Sequence, residues 1–480
     1  MPTFPEGFTW GVATAAFQIE GASQEGRRTD SIWDAYCRVP GAVLGGDTGE
    51  VACDHYNRMP EDVAMIADLG FNAYRFSTSW ARVCPDGGEP NQEGLDFYSR
   101  LVDELNGRGV TPWLTLYHWD LPQALQELGG WTVRETAERF ADYAEATYRA
   151  LGDRVVHWST LNEPWCSTFL SYAGGEHAPG HTDPREAVAA VHTILLAHGL
   201  AAERLRAVAA EKGWELKLGI TLNFNPALPV DPEDPACVEA ARRVDGATAR
   251  VFLDPLFRGA YPEDVLRDMA DAGLGDNVRE GDLAVVSAPI DFLGVNFYNA
   301  MAVEGPADGE SWGDGSSSED GFTSTSERGR ARRSAWVGSE GVRVVSRGKR
   351  RTAMGWEVEG QDLRDLLVRL QHEYTGPAGI PMVITENGAA YDDAPDEAGF
   401  VDDTADRGAY YRDHLTAVAE SIDAGADVTG YFAWSLMDNF EWAFGYARRF
   451  GIVRVDYETQ VRTPKASALW VGEVARSGGF

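Results

Sequence analysis

The sequence predicts an α/β fold, a single (β/α)8 TIM barrel with long loops after its strands, and three observations support this prediction. Short runs rich in branched and aromatic residues alternate with longer segments of helical pattern. There are eight such runs, and strands that alternate with helices pair in parallel through crossover connections. Eight crossover units close most economically into a barrel, which can exceed about 400 residues in one domain. The length of 480 residues alone suggests about three domains and leaves the count open, but a closed barrel of eight units predicts one domain over residues 1–480.

The predicted strands share β-branched and aromatic side chains. In chain order they are FTWGVATAA (8–16), FNAYRFS (71–77), TPWLTLYH (111–118), VVHWSTLN (155–162), KLGITLNF (217–224), IDFLGVNFY (290–298), PMVITEN (381–387) and VTGYFAWS (428–435). The segment PEDVAMIADLG predicts a helix that begins at Pro60 and ends at Gly70.

A second helix is predicted where Asp183, Pro184 and Glu186 occupy the N-cap, first and third positions. His192 and His198 fall inside this helix, and we interpret them as packing residues rather than ligands.

One segment, residues 302–352, differs from the rest of the chain because it is rich in Gly, Ser and charge. It is acidic from Asp308 to Asp320 and basic from Arg328 to Arg351. It follows the sixth strand, so we expect an inserted, solvated loop above the carboxyl ends of the strands.

Composition and sequence patterns restrict the binding partners and the cellular location that we expect. The net charge of -33 disfavours nucleic acid and anionic membranes as partners. The amino terminus lacks the pattern of a signal peptide and no run of about 18 apolar residues is present, so we expect a soluble, cytoplasmic protein. Five cysteines without CxxC spacing indicate reduced thiols rather than disulfides or a zinc site. The sequence leaves the oligomeric state open, a homo-oligomer included.

Polar side chains gather at the carboxyl ends of the predicted strands, where barrel enzymes build their sites. They are Gln18, Arg75, Ser77, His118, Asn162, Glu163, Asn223, Asn296, Tyr298 and Glu386, together with Trp434. Alternation along the second strand places Arg75 inside the barrel if Ala73 faces inward, and an inward Arg needs an acid nearby. Glu163 and Glu386 each end a strand fit for a core, and burying an ionised carboxylate costs several kcal/mol unless partners or a function hold it there.

Two carboxyl groups facing one another across a substrate are what glycoside hydrolysis requires. About 5 to 5.5 Å between the groups permits covalent attack with retention, whereas about 6.5 to 9.5 Å admits a water and leads to inversion. Spacing in the sequence alone does not decide between the two distances.

Ordered motifs along the chain resemble those of glycoside hydrolase family 1 β-glucosidases. They are FTWGVATAAFQIEG (8–21), NAYRFSTSWARV, TLYHWDLP, TLNEPW, GEHAPG, DFLGVNFY, ITENGAA and SLMDNFEWAFGYARRFG (435–451). The resemblance implies a (β/α)8 barrel that hydrolyses β-glycosides with retention and without a cofactor. It implies that Glu386 is the nucleophile and Glu163 the general acid/base.

The same resemblance implies a substrate site. Gln18, His118, Asn162 and Glu441 would bind sugar hydroxyls, with Asn162 at the 2-hydroxyl and Glu441 near the 4- and 6-hydroxyls. Trp434 would lie under the sugar ring and Trp442 would donate its indole N–H. Supporting residues would be Arg75 and Tyr298 beside Glu386, Asn296, and Trp356 as a platform for the leaving group. Taken alone, His118 is equally consistent with a structural role, and for each Trp alone core packing is the better interpretation.

The places where the sequence departs from the family pattern, and the alternatives within the family, concern substrate specificity. MGWEVEGQDL (354–363) and residues 302–352 depart from the family pattern on the leaving-group side. Phospho-glycosidases carry Ser and Lys where this chain has Glu441 and the region of Ala447, and thioglucosidases replace the acid/base Glu by Gln, so the chain favours unphosphorylated O-glycosides. Glucose, galactose and fucose derivatives all remain open as substrates.

Two other functional classes fit the sequence less well. A metal-dependent barrel hydrolase is disfavoured because His118 is the only histidine at a strand end. A noncatalytic sugar-binding barrel would not need both Glu163 and Glu386.

Overall fold

The structure is a computed structural model that describes residues 2–307, 309–313 and 333–480. Eight parallel strands close into one barrel in the order β1-β8-β7-β6-β5-β4-β3-β2. The strands are β1 Thr9–Ala13, β2 Ala73–Ser77, β3 Thr111–Tyr117, β4 His157–Asn162, β5 Lys217–Phe224, β6 Phe292–Phe297, β7 Met382–Asn387 and β8 Val428–Trp434. All eight predicted strands are therefore present, and the predicted fold class is confirmed.

Helices cover the outside of the barrel. The described α-helices of at least eight residues are α1 His55–Leu69, α2 Gln92–Gly107, α3 Glu135–Leu151, α4 Pro184–Lys212, α5 Pro235–Asp245, α6 Val251–Arg258, α7 Gly360–Leu370, α8 Ala409–Asp423 and α9 Ala466–Ser477. Shorter α-helices in the described ranges are Ala16–Ile19, Ile32–Cys37, Trp80–Val83, Gln123–Glu127, Glu263–Asp268, Asp282–Val286 and Gly376–Ala378, and π-helical turns are Cys166–Ala173, Gly246–Arg250, Gln371–Thr375 and Thr404–Gly408.

Helix α4 confirms its predicted start, because the Asp183 side chain accepts a hydrogen bond from the Arg185 N–H and Pro184 occupies the first position. This helix is long and apolar enough to cross a membrane by length and composition, but 78% of its most apolar window is buried within the fold. His192 and His198 bond to buried neighbours, Asp282 and Thr160 respectively. Their predicted packing role agrees with these contacts.

Helix α1 begins earlier than predicted. It starts at His55, because the carbonyl of Asp54 accepts the N–H groups of Asn57 and Arg58, and it carries Pro60 in its second turn. Proline at this position removes one backbone hydrogen bond and crowds the carbonyl four residues earlier, but the helix continues through it. The predicted end at Gly70 is correct, with φ of 92° at that residue.

The segment after β6 is partly packed rather than solvated. Met301–Glu304 pairs antiparallel with Arg343–Val345, and the side chains of residues 335–337 are 1 to 3% exposed. The expectation of a solvated loop is wrong for these residues, because the apolar sequence Ala-Trp-Val there is buried against the rest of the protein. Residues 308 and 314–332, which include most of the acidic run, lie outside the described residues.

The barrel interior is apolar toward the amino ends of the strands and polar toward their carboxyl ends. Ala73, Trp113 and Phe432 belong to one buried cluster, and Ala73 alternates with Arg75 along β2. Arg75 therefore points inward as predicted, and it is 2% exposed. The polar end of the interior is where the candidate site lies.

Candidate active site

A cavity opens at the carboxyl ends of the barrel strands. Eight of the predicted site residues line it: His118, Glu163, Tyr298, Trp356, Glu386, Trp434, Glu441 and Trp442. The other four, Gln18, Arg75, Asn162 and Asn296, are buried beside it and bond either to lining residues or to the loop that carries them. The structure therefore brings all twelve into one region.

Glu386 ends β7 between two donors. Arg75 Nη1 donates to its Oε1 at 2.6 Å, and the Tyr298 hydroxyl donates to its Oε2 at 2.6 Å. Burial raises the pKa of Glu386, and the charge of Arg75 and both hydrogen bonds oppose that rise. Since Arg75 is the cation in contact with this carboxylate, Glu386 is the member of the carboxyl pair that is held ionised.

Glu163 follows β4 in a different environment. Its Oε1 accepts from Asn296 Nδ2 at 2.7 Å and its Oε2 from the Cys166 thiol at 3.3 Å, both uncharged donors. Burial, followed by the charge of Glu386, raises the pKa of Glu163 to about 8. Glu163 is therefore the carboxyl of the pair that more readily holds a proton, whereas Arg75 stabilises the ionised form of Glu386.

One amide, that of Asn296, links the two halves of the site. Its Oδ1 accepts from the Thr385 hydroxyl at 2.7 Å, so its Nδ2 must face Glu163 and Asn162. In the barrel register Asn296 pairs with Glu386. The strand pairing thus fixes the position of both carboxylates relative to one amide.

Local backbone irregularities turn the carboxylates out of their strands. The strand register shifts between Ile384 and Glu386 in β7, and Glu163 has φ of 48° in the left-handed region. Such features cluster at functional sites, where the surroundings stabilise them. After β7 the chain also needs glycine, since a Cβ at Gly388 would lie 1.7 Å from the carbonyl oxygen of Trp434.

His118 presents a donor near Asn162. Burial and the charge of Arg75 lower the pKa of His118, so the ring is neutral. Its Nε2 accepts from Asn162 Nδ2 at 3.1 Å, because the Asn162 oxygen already accepts from Arg75 at 2.7 Å. The ring proton therefore resides on Nδ1, which has no hydrogen-bond partner among the described residues.

Gln18 presents the complementary acceptor. Its amide nitrogen donates to Asn439 Oδ1 at 3.1 Å and to the Phe440 carbonyl at 2.8 Å, which fixes the orientation of the amide. Its buried Oε1 accepts no hydrogen bond from any described residue. A neutral ligand rich in hydroxyl groups would satisfy both Gln18 and His118.

Aromatic side chains from β8 and from the loop after it line the cavity. The ring centroid of Trp434 lies 5.8 Å from that of His118, and the ring centroid of Trp442 lies 4.5 Å from that of Trp119. Trp119 and Trp442 both have positive φ, 78° and 48°. Trp356 also lines the cavity, and its ring centroid lies 5.5 Å from that of Tyr298.

Glu441 adds a third buried carboxyl. Burial and the charges of Glu386 and Glu163 raise the pKa of Glu441 to about 8. That Glu441 discriminates against a 6-phosphate stays a prediction, and Glu386 supplies a further negative charge close to it.

Several lining residues had no predicted role. They are Trp119, Cys166, Leu170, Glu176, His177, Asn223, Asn225, Met354, Ala443, Phe444 and Phe450. Trp119, Cys166 and His177 fall in or next to three of the quoted motifs, TLYHWDLP, TLNEPW and GEHAPG. Motif membership was the available signal for them. Across the described residues, no group of three or more His, Cys, Asp or Glu side chains is arranged to hold a metal ion.

Comparisons with known proteins agree with this geometry. The sequence profile of the family described as "Glycosyl hydrolase family 1" matches residues 1–480. The chain is 48% identical to "Thermostable beta-glucosidase B" of Thermobispora bispora over 100% of this chain and 92% of the relative. It is 47% identical to "Bifunctional beta-D-glucosidase/beta-D-fucosidase" of Bifidobacterium breve, with 97% of each chain covered.

Two solved structures are also similar to this chain over its whole length. A psychrophilic beta-glucosidase from Micrococcus antarcticus is 51% identical, with a TM-score of 0.91 and coverage of 100% of this chain and 98% of the other. A family 1 β-glucosidase from Thermotoga maritima is 41% identical, with a TM-score of 0.89 and 100% of each chain covered.

Proposed function

Because the chain belongs to glycosyl hydrolase family 1, we propose that it is a retaining β-glucosidase that releases terminal nonreducing β-D-glucosyl residues from cellobiose-like oligosaccharides and aryl or alkyl glucosides. The observation that carries the proposal is the asymmetry of the two carboxyl groups. Glu386 is ion-paired with Arg75, whereas Glu163 has only uncharged donors and a pKa raised to about 8. One nucleophile and one acid are what a double displacement needs.

In the first step, the Glu386 carboxylate attacks the anomeric carbon while Glu163 gives its proton to the leaving oxygen. The covalent glycosyl-enzyme forms and the aglycone departs. Consumption of the Glu386 charge removes the main electrostatic reason for the raised pKa of Glu163, so Glu163 becomes an ionised base. In the second step Glu163 takes a proton from water, and the water oxygen displaces Glu386 with net retention.

The surrounding residues supply sugar binding and orientation. Gln18 Oε1 and His118 Nδ1 offer one acceptor and one donor to hydroxyl groups, and Trp434 offers an aromatic face to the sugar ring. Asn162 and Glu441 would bind the 2-hydroxyl and the 4- and 6-hydroxyls, with the Trp442 indole N–H as a further donor. Trp356 also lines the cavity and would contact the leaving group.

The remaining parts of the proposal concern domain organisation, cellular location and physiological substrates. The chain would act as one domain, without a cofactor, on glycosides in the cytoplasm. A role in cellulose breakdown would follow from activity on cellobiose. The relative named as a bifunctional β-D-glucosidase/β-D-fucosidase is compatible with β-fucosides as an alternative substrate class.

We expect 4-nitrophenyl β-glucoside to be hydrolysed with β-glucose as the first-formed sugar, because two inversions at one carbon give retention. Proton NMR of the anomeric signals during early turnover measures this directly. The matching galactoside, fucoside and cellobiose rank the sugar and chain-length preference in the same assay. First-formed α-glucose would show that Glu386 does not act as a nucleophile, and absence of turnover on every glycoside would refute the proposed activity.

The second prediction concerns Glu441 and discrimination against a 6-phosphate on the sugar. The wild-type enzyme should prefer an aryl β-glucoside over its 6-phosphate by about a thousandfold in kcat/KM, because an unpaired phosphate would be desolvated beside buried carboxyls at a cost of several kcal/mol. Glu441→Ser should reduce that ratio and also lower kcat/KM for the plain glucoside, since remote contacts contribute in the transition state.

Glu441→Gln is the matched control for this result. It keeps hydrogen bonds to hydroxyls but removes any charge at that position, so the phosphate discrimination should fall as in Glu441→Ser if the charge of Glu441 carries it, and should stay close to wild type if the charge of Glu386 carries it. Values of kcat/KM for both substrates with all three proteins decide the question. An unchanged ratio in Glu441→Ser would show that Glu441 does not bind near the 6-hydroxyl.

A further inference from the structure

Cys166 is a buried thiol in the candidate active site that the proposed chemistry does not use. Its Sγ lies 3.3 Å from Glu163 Oε2, and the residue lines the cavity while being 6% exposed. Burial and the charge of Glu163 raise the pKa of the Cys166 thiol well above its usual range. A thiol held protonated is a poor nucleophile and reacts slowly with oxidants. What remains available to it is hydrogen-bond donation to Glu163.

The backbone fixes Cys166 relative to Glu163. The Cys166 N–H donates to the Glu163 carbonyl at 3.0 Å, which places the thiol one turn beyond the carboxylate. At the other side, the Ser171 hydroxyl donates to the Cys166 carbonyl at 2.9 Å. These bonds fix the backbone of Cys166 relative to Glu163, so the thiol can leave Oε2 only by rotating about its own Cα–Cβ bond.

The two oxygens of Glu163 have unequal partners. Asn296 donates an amide N–H to Oε1 at 2.7 Å, so a proton on Oε1 would face a donor hydrogen. The Cys166 thiol also donates to Oε2, but at 3.3 Å and as a much weaker donor, so the transferable proton is better accommodated on Oε2 than on Oε1. Since a thiol is a weak donor, it orients Oε2 without the large stabilisation of the ionised form that a cation would bring.

We propose that Cys166 is a positioning residue for the general acid/base, whose thiol holds Glu163 Oε2 in the orientation from which it protonates the leaving group. The inference rests on the proposed function, because it assigns Glu163 the acid role. It explains how Glu163 can be held in place and still alternate between acid and base. A residue that contributed only packing at this position would not touch the atom that transfers the proton.

The test compares leaving groups in Cys166→Ala, with phenyl β-glucoside as the poor one and 2,4-dinitrophenyl β-glucoside as the good one. We expect kcat/KM for the phenyl substrate to fall about tenfold and that for the dinitrophenyl substrate to change less than about twofold, because only poor leaving groups need the acid. Loss of a donor to the carboxylate raises its pKa, so the basic limb of kcat/KM for the phenyl substrate should move to higher pH. Cys166→Ser, which keeps a donor, should retain activity within about threefold.

Two controls separate positioning from packing. Cys84 is also buried but does not line the cavity, so Cys84→Ala should leave both substrates and the basic limb unchanged. In a Glu163→Gln background, Cys166→Ala should give no further loss on 4-nitrophenyl β-glucoside, since the group it orients no longer donates an acidic proton.

Equal losses on both leaving groups with an unmoved basic limb would overturn the proposal, as would full activity of Cys166→Ala. A further loss in the Glu163→Gln background would do the same. Failure of the proposed function has a different signature, because Glu163→Gln alone would then show no dependence on the leaving group.

Discussion

Replacing Glu386 by alanine is expected to lower kcat/KM for aryl β-glucosides by about four orders of magnitude or more, which corresponds to about 5 kcal/mol of lost transition-state stabilisation. The residue is proposed to form the covalent bond to the sugar, and alanine provides no atom for it. Arg75 and the Tyr298 hydroxyl would face the space left by the carboxylate. Arg75 keeps its bond to Asn162 at 2.7 Å, so the barrel should still fold with a lowered Tm.

Azide provides a direct check of this assignment. A small anion is attracted to the charge of Arg75 in the vacated space, and it would attack the sugar from the face opposite the leaving group. We therefore expect azide to restore turnover of 2,4-dinitrophenyl β-glucoside by Glu386→Ala with α-glucosyl azide as the product, identified by NMR. Glu386→Gln is the matched control, because it fills the same volume and should gain little from azide.

Hydrolysis by Glu386→Ala at the wild-type rate would remove Glu386 from the nucleophile role. β-Glucosyl azide from this variant would equally contradict it, since that anomer requires attack on an intermediate formed at another residue. Circular dichroism and Tm of the variant exclude unfolding as the cause of lost activity.

The barrel was predictable because its signal is local. Each strand is a short run of branched and aromatic residues, and the chain order of eight such runs leaves few closed arrangements. Arg75 was predictable for the same reason, since its alternation with Ala73 needs only the neighbouring sequence. Its partner Glu386 lies 311 residues away, and only the closure of the barrel brings the two together.

Contacts that depend on side-chain orientation were not predictable. Asn296 was identified as a polar strand end, but its donation to Glu163 depends on Thr385 fixing the amide. Gln18 is oriented by Asn439, 421 residues away. Cys166 had no signal of its own, because a cysteine after a strand is equally common as packing. The start of α1 was missed because Pro60 is a strong helix-start signal that the Asp54 carbonyl overrides.

The environment of Glu163 determines the expected pH dependence. Burial and the charge of Glu386 raise the pKa of Glu163 to about 8, so this carboxyl keeps its proton to higher pH than a free carboxyl does. Since the protonated form is the active acid, kcat/KM for a glucoside with a poor leaving group should fall as pH rises through about 8. Below that value the acid is protonated, so this group should not limit activity there.

Glu163→Ala should lose this basic limb and show a strong dependence on the leaving group. We expect kcat/KM for phenyl β-glucoside to fall by about three to four orders of magnitude, because general acid catalysis contributes up to that amount. The 2,4-dinitrophenyl glucoside should still glycosylate Glu386 quickly and then stall, giving a burst of released phenol, because no base activates the water. Stopped-flow absorbance measures the burst.

Azide again distinguishes the two carboxylates, and now the opposite anomer is expected. In Glu163→Ala the glycosyl-enzyme still forms on Glu386, so azide attacks from the face that the aglycone has left and yields β-glucosyl azide. An α product would indicate that no covalent intermediate had formed. Equal losses on good and poor leaving groups, without a burst, would show that Glu163 does not supply the transferred proton. A good leaving group departs without an acid, so loss of the general acid should not slow its cleavage.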